Sequence, residues 1–144
     1  GTLDVIDILP IQLENLRKKM PPGVSTRLLL GDAAALDLPD ADYDRVLLFF
    51  LLHEQPQAER EQTVREALRV LRPGGTIVVV DYAPASLWHP VRYLVLPFLG
   101  MLEPFAADLW RRELTEVLEG PMAERAWQKT SYFGGLYQKL VALK

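Results

Sequence analysis

The chain has 144 residues, 49% apolar and 24% charged, with 16 basic and 19 acidic side chains, a net charge of −3 and no cysteine. That length holds one domain with a real core and is too short for two. The acidic balance argues against a nucleic-acid partner, which calls for a basic stripe, and the lack of cysteine excludes disulfides, thiolate metal sites and cysteine nucleophiles. The opening Gly1-Thr2-Leu3-Asp4 has neither the basic nor the apolar region of a signal peptide. The apolar stretch from Tyr93 to Leu102 contains a proline and, at about ten residues, is too short to span a bilayer. A cytoplasmic enzyme or binding domain is the expectation.

Leu3 to Asp7 reads as a short strand leading to Pro10, a favoured first-turn helix residue. Leu9, Leu13, Leu16 and Met20 follow at helical spacing, Lys18 and Lys19 close the helix at its negative end, and Pro21-Pro22-Gly23 stop it. Thr26 to Leu30 is a second strand, ending at Gly31-Asp32. A polar loop with Pro39 then leads to Arg45 to Phe50, an unbroken apolar run that predicts a strand buried on both faces. Gln57 to Leu71 predicts a helix with Val64, Ala67, Leu68 and Leu71 inward. Pro73-Gly74-Gly75 reads as the turn that ends it, before a second doubly buried strand, Thr76 to Val80.

Trp88 to Ala107 is apolar but interrupted by Pro90, Pro97 and Pro104. Asp108 to Leu118 predicts one helix with Trp110, Leu114, Val117 and Leu118 on a single face, and Gly120 lies past its end. Ala126 to Tyr132 and Leu136 to Leu143 read as strands joined at Phe133-Gly134-Gly135, a hairpin signal. Helices alternating with strands in this order predict an α/β fold with a mainly parallel sheet.

Such sheets bind ligands beyond the carboxyl ends of their strands. Three of the first four strands end in acid, at Asp7, Asp32 and Asp81, and the third runs into Phe49-Phe50-Leu51-Leu52-His53-Glu54. An acid there can grip a ribose diol or accept an adenine amino proton; the plainer reading is a helix cap or a loop acid.

Val5 to Pro10, Gly31-Asp32-Ala33, Leu38-Pro39 with Asp42 to Val46, Leu52-His53 and Leu71-Arg72-Pro73-Gly74-Gly75 come in an order and spacing that resembles a class I S-adenosylmethionine-dependent methyltransferase. The likeness is greatest to the type 11 group that includes the ubiquinone/menaquinone-biosynthesis C-methyltransferases, and strongest from Asp32 to Asp81. The resemblance implies a Rossmann-like sheet, mostly parallel with a C-terminal antiparallel hairpin, and S-adenosylmethionine as cofactor. It implies that Asp7 binds the ribose hydroxyls with Ile8 on the adenine, and that Asp32 accepts from the adenine amino group with Ala33 beside the ring. Phe49 and Phe50 would lie along the methionine arm.

The family's first strand and glycine-rich turn have no counterpart in the chain. The expectation is that an upstream segment belongs to the natural protein and that this chain alone binds the cofactor poorly or not at all. The resulting gap in the sheet predicts either neighbours that close up or a second chain that fills it, as in a homodimer.

The chain reads as a single domain, 1–144, with 82–107 where the family places its substrate lid. Tyr82, Trp88, His89 and Tyr93 set polar handles in an apolar stretch, which suits a small apolar, quinone-like acceptor; a core helix broken by prolines is the alternative. A peripheral membrane contact is a further option, with Arg92 as the nearby cation. Leu51 to Pro56, Asp81-Tyr82, Trp88-His89-Pro90 and Glu103 to Ala106 together resemble the rhodoquinone-biosynthesis branch, which is associated with amino transfer to a quinone. Methyl transfer needs mainly in-line positioning, with a general base for a hydroxyl or acidic carbon. His53 is the candidate base and Tyr82 the second catalytic candidate; a loop histidine that packs on the cofactor is the plainer reading of His53. Two histidines among scattered acids are a weak metal signal, and no metal is expected. The competing class is a non-catalytic methyltransferase-fold module. A nucleotide-dependent dehydrogenase is disfavoured, because the glycine fingerprint is absent and Pro73-Gly74-Gly75 precedes a strand.

Overall fold

The computed structural model of the protein describes residues 1–21, 23–84, 105–109, 111–118 and 126–144. β1 (Leu3–Asp7) and β2 (Thr26–Leu30) pair in parallel with Asp7 opposite Leu30. Between them runs α1 (Pro10–Lys19), whose first-turn proline needs no hydrogen-bond partner and whose last turn carries Arg17, Lys18 and Lys19. β3 (Tyr43–Phe49) and β4 (Leu71–Tyr82) form the second parallel pair, connected by a 3₁₀ turn (Leu52–Glu54) and α2 (Gln57–Val70). Among the described residues two short helices follow, α3 (Ala106–Leu109) and α4 (Leu114–Val117). The chain closes with β5 (Gln128–Tyr132) and β6 (Tyr137–Leu143), antiparallel to each other, with β6 antiparallel to β4. This is the expected α/β class, with parallel pairs first and an antiparallel hairpin last. The hairpin turn needs left-handed backbone at Phe133, Gly134 and Gly135 (φ 51°, 66° and 89°), which two glycines supply cheaply.

The core lies on one side of the β3-β4-β6-β5 sheet. Leu48, Ile77, Val79, Leu140 and Ala142 from the strands meet Val64 and Ala67 of α2 and Leu109, Leu114 and Leu118 from the later helical segment. No helix among the described residues is long and apolar enough to cross a membrane.

Four expectations need correction. β3 is not buried on both faces: Leu48 is packed inside, but Leu47 and Phe49 are 59% and 62% exposed. Among the described residues, α1 packs on β1 and β2 instead of covering that face of β3. Second, Pro73-Gly74-Gly75 is not a turn between helix and strand. β4 already starts at Leu71, opposite Tyr43, and the next pair is Arg45 with Thr76, so Arg72 to Gly75 form a bulge within the strand. Third, Asp108 to Leu118 is two helices. Leu109, Leu114 and Leu118 are all buried, and a spacing of five between the first two would turn them apart on one continuous helix. The break at Arg111 to Glu113 lets both face the core.

The fourth concerns the sheet gap. The strands form two sheets, β1-β2 and β3-β4-β6-β5, and β1 does not pair with β3. Tyr43 Oη of β3 donates to Asp4 Oδ2 of β1 at 2.5 Å. Among the described residues the two strands meet through these side chains and form no ladder, so they do not close up.

Candidate functional site

In each parallel pair the carboxyl ends lie on one side, and the candidate residues collect there in two groups. On the first sheet, Asp7 ends β1 and Asp32 lies just past β2, and the two loops are tied by the Gly31 N–H donating to the Asp7 carbonyl at 3.1 Å. The Leu9 N–H donates to Asp7 Oδ1 at 2.8 Å, and the Ala34 N–H to Asp32 Oδ1 at 2.8 Å. Each acid thus uses one oxygen to shape its own loop, as the plainer reading anticipated. Among the described residues the second oxygen of each accepts no hydrogen bond, which leaves an acceptor pair on adjacent strand ends for a ligand with hydroxyl and amino donors. Ile8 beside Asp7 is 65% exposed, an apolar surface held in solvent, and Ala33 beside Asp32 is half-buried.

The loop after Asp32 is gripped by α2. Arg69 donates to the carbonyls of Leu36 and Leu38 at 2.8 and 2.7 Å and to Asp40 Oδ1 at 2.6 Å. Glu66 accepts from the Leu36 N–H at 2.9 Å. The Arg69 guanidinium beside Glu66 holds that carboxyl below its ordinary range, against the opposing effect of burial.

On the second sheet β3 ends in aromatics. Phe50 has left-handed backbone (φ 49°) and its N–H donates to the Val80 carbonyl at 2.8 Å. For a residue with a Cβ that conformation costs about 1–2 kcal/mol. Its ring lies 4.9 Å from Phe49, 5.9 Å from Tyr82 and 5.2 Å from Tyr137, centroid to centroid, and Tyr82 stacks on Tyr137 at 5.7 Å. Phe133 adds an edge contact to Tyr137 at 5.5 Å. The His53 imidazole meets the Tyr82 ring at 4.7 Å and Phe50 at 6.2 Å. An aromatic surface of this kind favours planar apolar rings and cations alike.

His53 and Asp81 are in direct contact. His53 Nδ1 lies 3.0 Å from Asp81 Oδ1, and the carboxylate is fully buried. Asp81 Oδ2 accepts from the backbone N–H groups of Leu52 and His53 at 2.9 and 3.2 Å, and Oδ1 also from the Tyr82 N–H at 2.8 Å.

Asp7 and Asp32 therefore lie side by side at the strand ends of the first sheet, and Phe49, Phe50, His53 and Tyr82 together at those of the second. Trp88, His89 and Tyr93, and most of the expected lid at 82–107, lie outside the described residues. No group of three or more potential metal ligands occurs among the described residues. Sequence reasoning missed Tyr137 and the engagement of Asp81 with His53. Neither leaves a local signal: Tyr137 comes opposite Tyr82 only through the β4–β6 ladder, and His53 and Asp81 are 28 residues apart.

Comparison with known proteins bears on the family and the fold. A family model described as a methyltransferase domain matches residues 1–75. The chain is 34% identical over 143 residues to a demethylmenaquinone methyltransferase of Thermus thermophilus, covering 93% of this chain and 64% of that protein. It is 30% identical over 135 residues to a 2-methyl-6-phytyl-1,4-hydroquinone methyltransferase of Synechocystis, covering 85% and 41%. The chain therefore spans less than two thirds of either relative's length. Among solved structures, a SAM-dependent methyltransferase of Methanosarcina mazei superposes with a TM-score of 0.68 at 15% identity, over 99% of this chain and 82% of that one; at that identity it speaks to the fold alone.

Proposed function

The chain belongs to the methyltransferase domain family, and from that premise we propose that it serves an S-adenosylmethionine-dependent methyltransferase whose acceptor is a small, apolar, quinone-like ring. The observation that carries the reading is the acid pair, Asp7 and Asp32, on the ends of paired parallel strands, each with an oxygen left over from its own loop. Ribose hydroxyls and an adenine amino group are the donors such acceptors suit, and exposed Ile8 offers an apolar face to the base. Phe49 and Phe50 lie at the carboxyl end of β3 in the second sheet, and an aromatic wall of this kind favours a sulfonium cation. When bound, the cofactor supplies the activated methyl group; the protein's part is to orient the acceptor, exclude water and take up a proton. The two relatives with quinone-related names support a ring acceptor, and so does the stacked Tyr82 and Tyr137 pair.

Calorimetric titration with S-adenosylmethionine tests this, on the chain as given and on a form extended upstream by one strand-turn-helix unit, about 40 residues. Binding to the extended form, followed by methyl transfer to a hydroquinone, is the expected outcome. Failure of both forms to bind makes a non-catalytic module the better reading.

Among the described residues β1 and β3 do not pair, and this supports the homodimer that the sequence offers as one alternative, since open edges invite another strand. Sedimentation equilibrium of the chain should show self-association. A monomer at all concentrations overturns that part of the proposal.

A further inference from the structure

Resting on the methyltransferase reading, we infer that Asp81 is the positioning residue for His53, fixing the imidazole as a proton acceptor at Nε2. Both Asp81 oxygens already accept backbone N–H groups, and with Oδ1 acting as an acceptor the 3.0 Å contact to Nδ1 places the proton on Nδ1. In the neutral ring Nε2 then holds the lone pair. Asp81 is itself immobile: it is fully buried, and three backbone N–H groups from the 3₁₀ turn and from Tyr82 bind its two oxygens. The same carboxylate thus sets both the path of the backbone that carries His53 and the tautomer of its ring, which a cap for the turn alone has no need to do.

Among the described residues, the ring is met from three elements and the 3₁₀ turn. Asp81 and Tyr82 come from β4, and Glu54 from the 3₁₀ turn places Oε1 3.9 Å from Nε2 while remaining 71% exposed. Phe50 closes another side, and Tyr137 of β6 backs Tyr82. Arg60 of α2 reaches the Leu52 carbonyl of the same turn at 2.7 Å. In the reaction, the acceptor's nucleophilic atom bonds to the methyl carbon as the carbon–sulfur bond breaks. The sulfur keeps the electron pair, becoming a neutral thioether, and the proton released by the acceptor passes to His53 Nε2. The resulting imidazolium keeps its Nδ1–H on Asp81 Oδ1.

The test uses the whole protein that carries this chain, with S-adenosylmethionine and a hydroquinone acceptor, in four forms: unmodified, Asp81→Asn, His53→Gln and the double variant. His53→Gln should lower kcat on the order of 100-fold and abolish the acidic limb of its pH profile. Asp81→Asn should lower kcat roughly 10–100-fold and move that limb to lower pH, with the acceptor KM held within about twofold. The double variant should be no slower than His53→Gln, because Asp81 acts through the ring. An Asp81→Asn loss that persists undiminished in the His53→Gln background, or an unmoved pH profile, overturns the inference.

Nitrogen NMR of the histidine rings gives a reading that needs no turnover. A protonated Nδ1 with an unprotonated Nε2, losing that preference in Asp81→Asn, supports the inference, and the opposite tautomer in the unmodified protein sinks it. Absence of any methyl transfer with the expected tautomer would count against the proposed function instead.

Discussion

Arg60 of α2, only 1% exposed, donates from Nη1 to Asp108 Oδ2 at 2.7 Å and so ties α2 to α3. Its Nε and Nη2 donate to the carbonyls of Leu52 and Phe105, each at 2.7 Å. One planar guanidinium thus satisfies two backbone acceptors and a carboxylate in three directions, beyond the reach of a lysine. Arg60→Leu should destabilise the protein by about 2–3 kcal/mol in urea unfolding, because buried acceptors lose a charged donor. Asp108 is 38% exposed, so water can replace its partner, and Asp108→Asn should cost less than about 1 kcal/mol. Equal costs for the two would show that the carbonyl contacts contribute little.

The bulge in β4 makes a second prediction, at adjacent glycines. A Cβ on Gly75 would lie 2.6 Å from Leu71 Cδ1 and 2.9 Å from the Arg72 carbonyl oxygen, while one on Gly74 would meet nothing within 4 Å. Leu71 is fully buried and has no room to yield. Gly75→Ala should therefore lower stability by about 1–3 kcal/mol through overpacking. Gly74→Ala should cost about 1–2 kcal/mol, from its φ of +75° alone. Gly74→Asn should cost less, since asparagine tolerates that conformation, whereas no residue larger than glycine should rescue position 75. Thermal unfolding of the three variants checks the ordering.

These two sites mark where the sequence is legible and where it is not. The bounds of β1 and β2 follow from apolar runs closed by acid or glycine, and α1 from a proline start and a basic end, all local signals. Pro73-Gly74-Gly75 has the composition of a turn, yet β3 pairs with the residues on both sides of it, so the tertiary ladder overrides the local preference. Arg60 looks from sequence like a solvated helix residue, because its partners at 52, 105 and 108 come from elsewhere in the chain. The site divides the same way: Asp7, Asp32 and His53 are visible as strand-end residues, but the partnership of His53 with Asp81 exists only once β3 and β4 lie side by side.

The bridge between the two sheets should titrate at both ends of the pH scale. Hydrogen bonding from Arg27 holds the Asp4 carboxyl below its ordinary value of 3.8, with burial opposing. Burial, followed by the hydrogen bond to Asp4, raises the Tyr43 phenol above its ordinary 10.0. A depressed acid stabilises the fold above its unfolded pKa and loses that contribution as pH falls through the folded one. A raised phenol stabilises it below about 10 and loses that contribution as pH rises through the higher folded value. Tyr43→Phe should thus remove an alkaline decline in stability, and Asp4→Asn should remove part of the acid decline. The check is the difference in urea midpoint between each variant and the unmodified chain from acid to alkaline pH. A difference for Tyr43→Phe that stays constant through the alkaline range would show that the bridge does not survive in solution.

The acid pair provides the most direct test of the cofactor assignment, because each acid has separable duties. Asp7 Oδ1 accepts from the Leu9 N–H and Asp32 Oδ1 from the Ala34 N–H, and an asparagine oxygen can do the same. Asp7→Asn and Asp32→Asn should therefore leave thermal stability nearly unchanged, while replacing the remaining carboxylate oxygen with an amide donor. A ribose hydroxyl bound to a carboxylate contributes about 1.5–3 kcal/mol, so Asp7→Asn should weaken S-adenosylmethionine binding roughly 10- to 100-fold. Asp32→Asn should weaken binding as well, and should act on adenosine-containing analogues that lack the methionine arm as strongly as on the full cofactor. Calorimetry of both variants in the extended protein reads these differences. Unchanged affinity with unchanged stability would return both acids to the plainer role of loop anchors and move the adenosine site elsewhere along the strand ends.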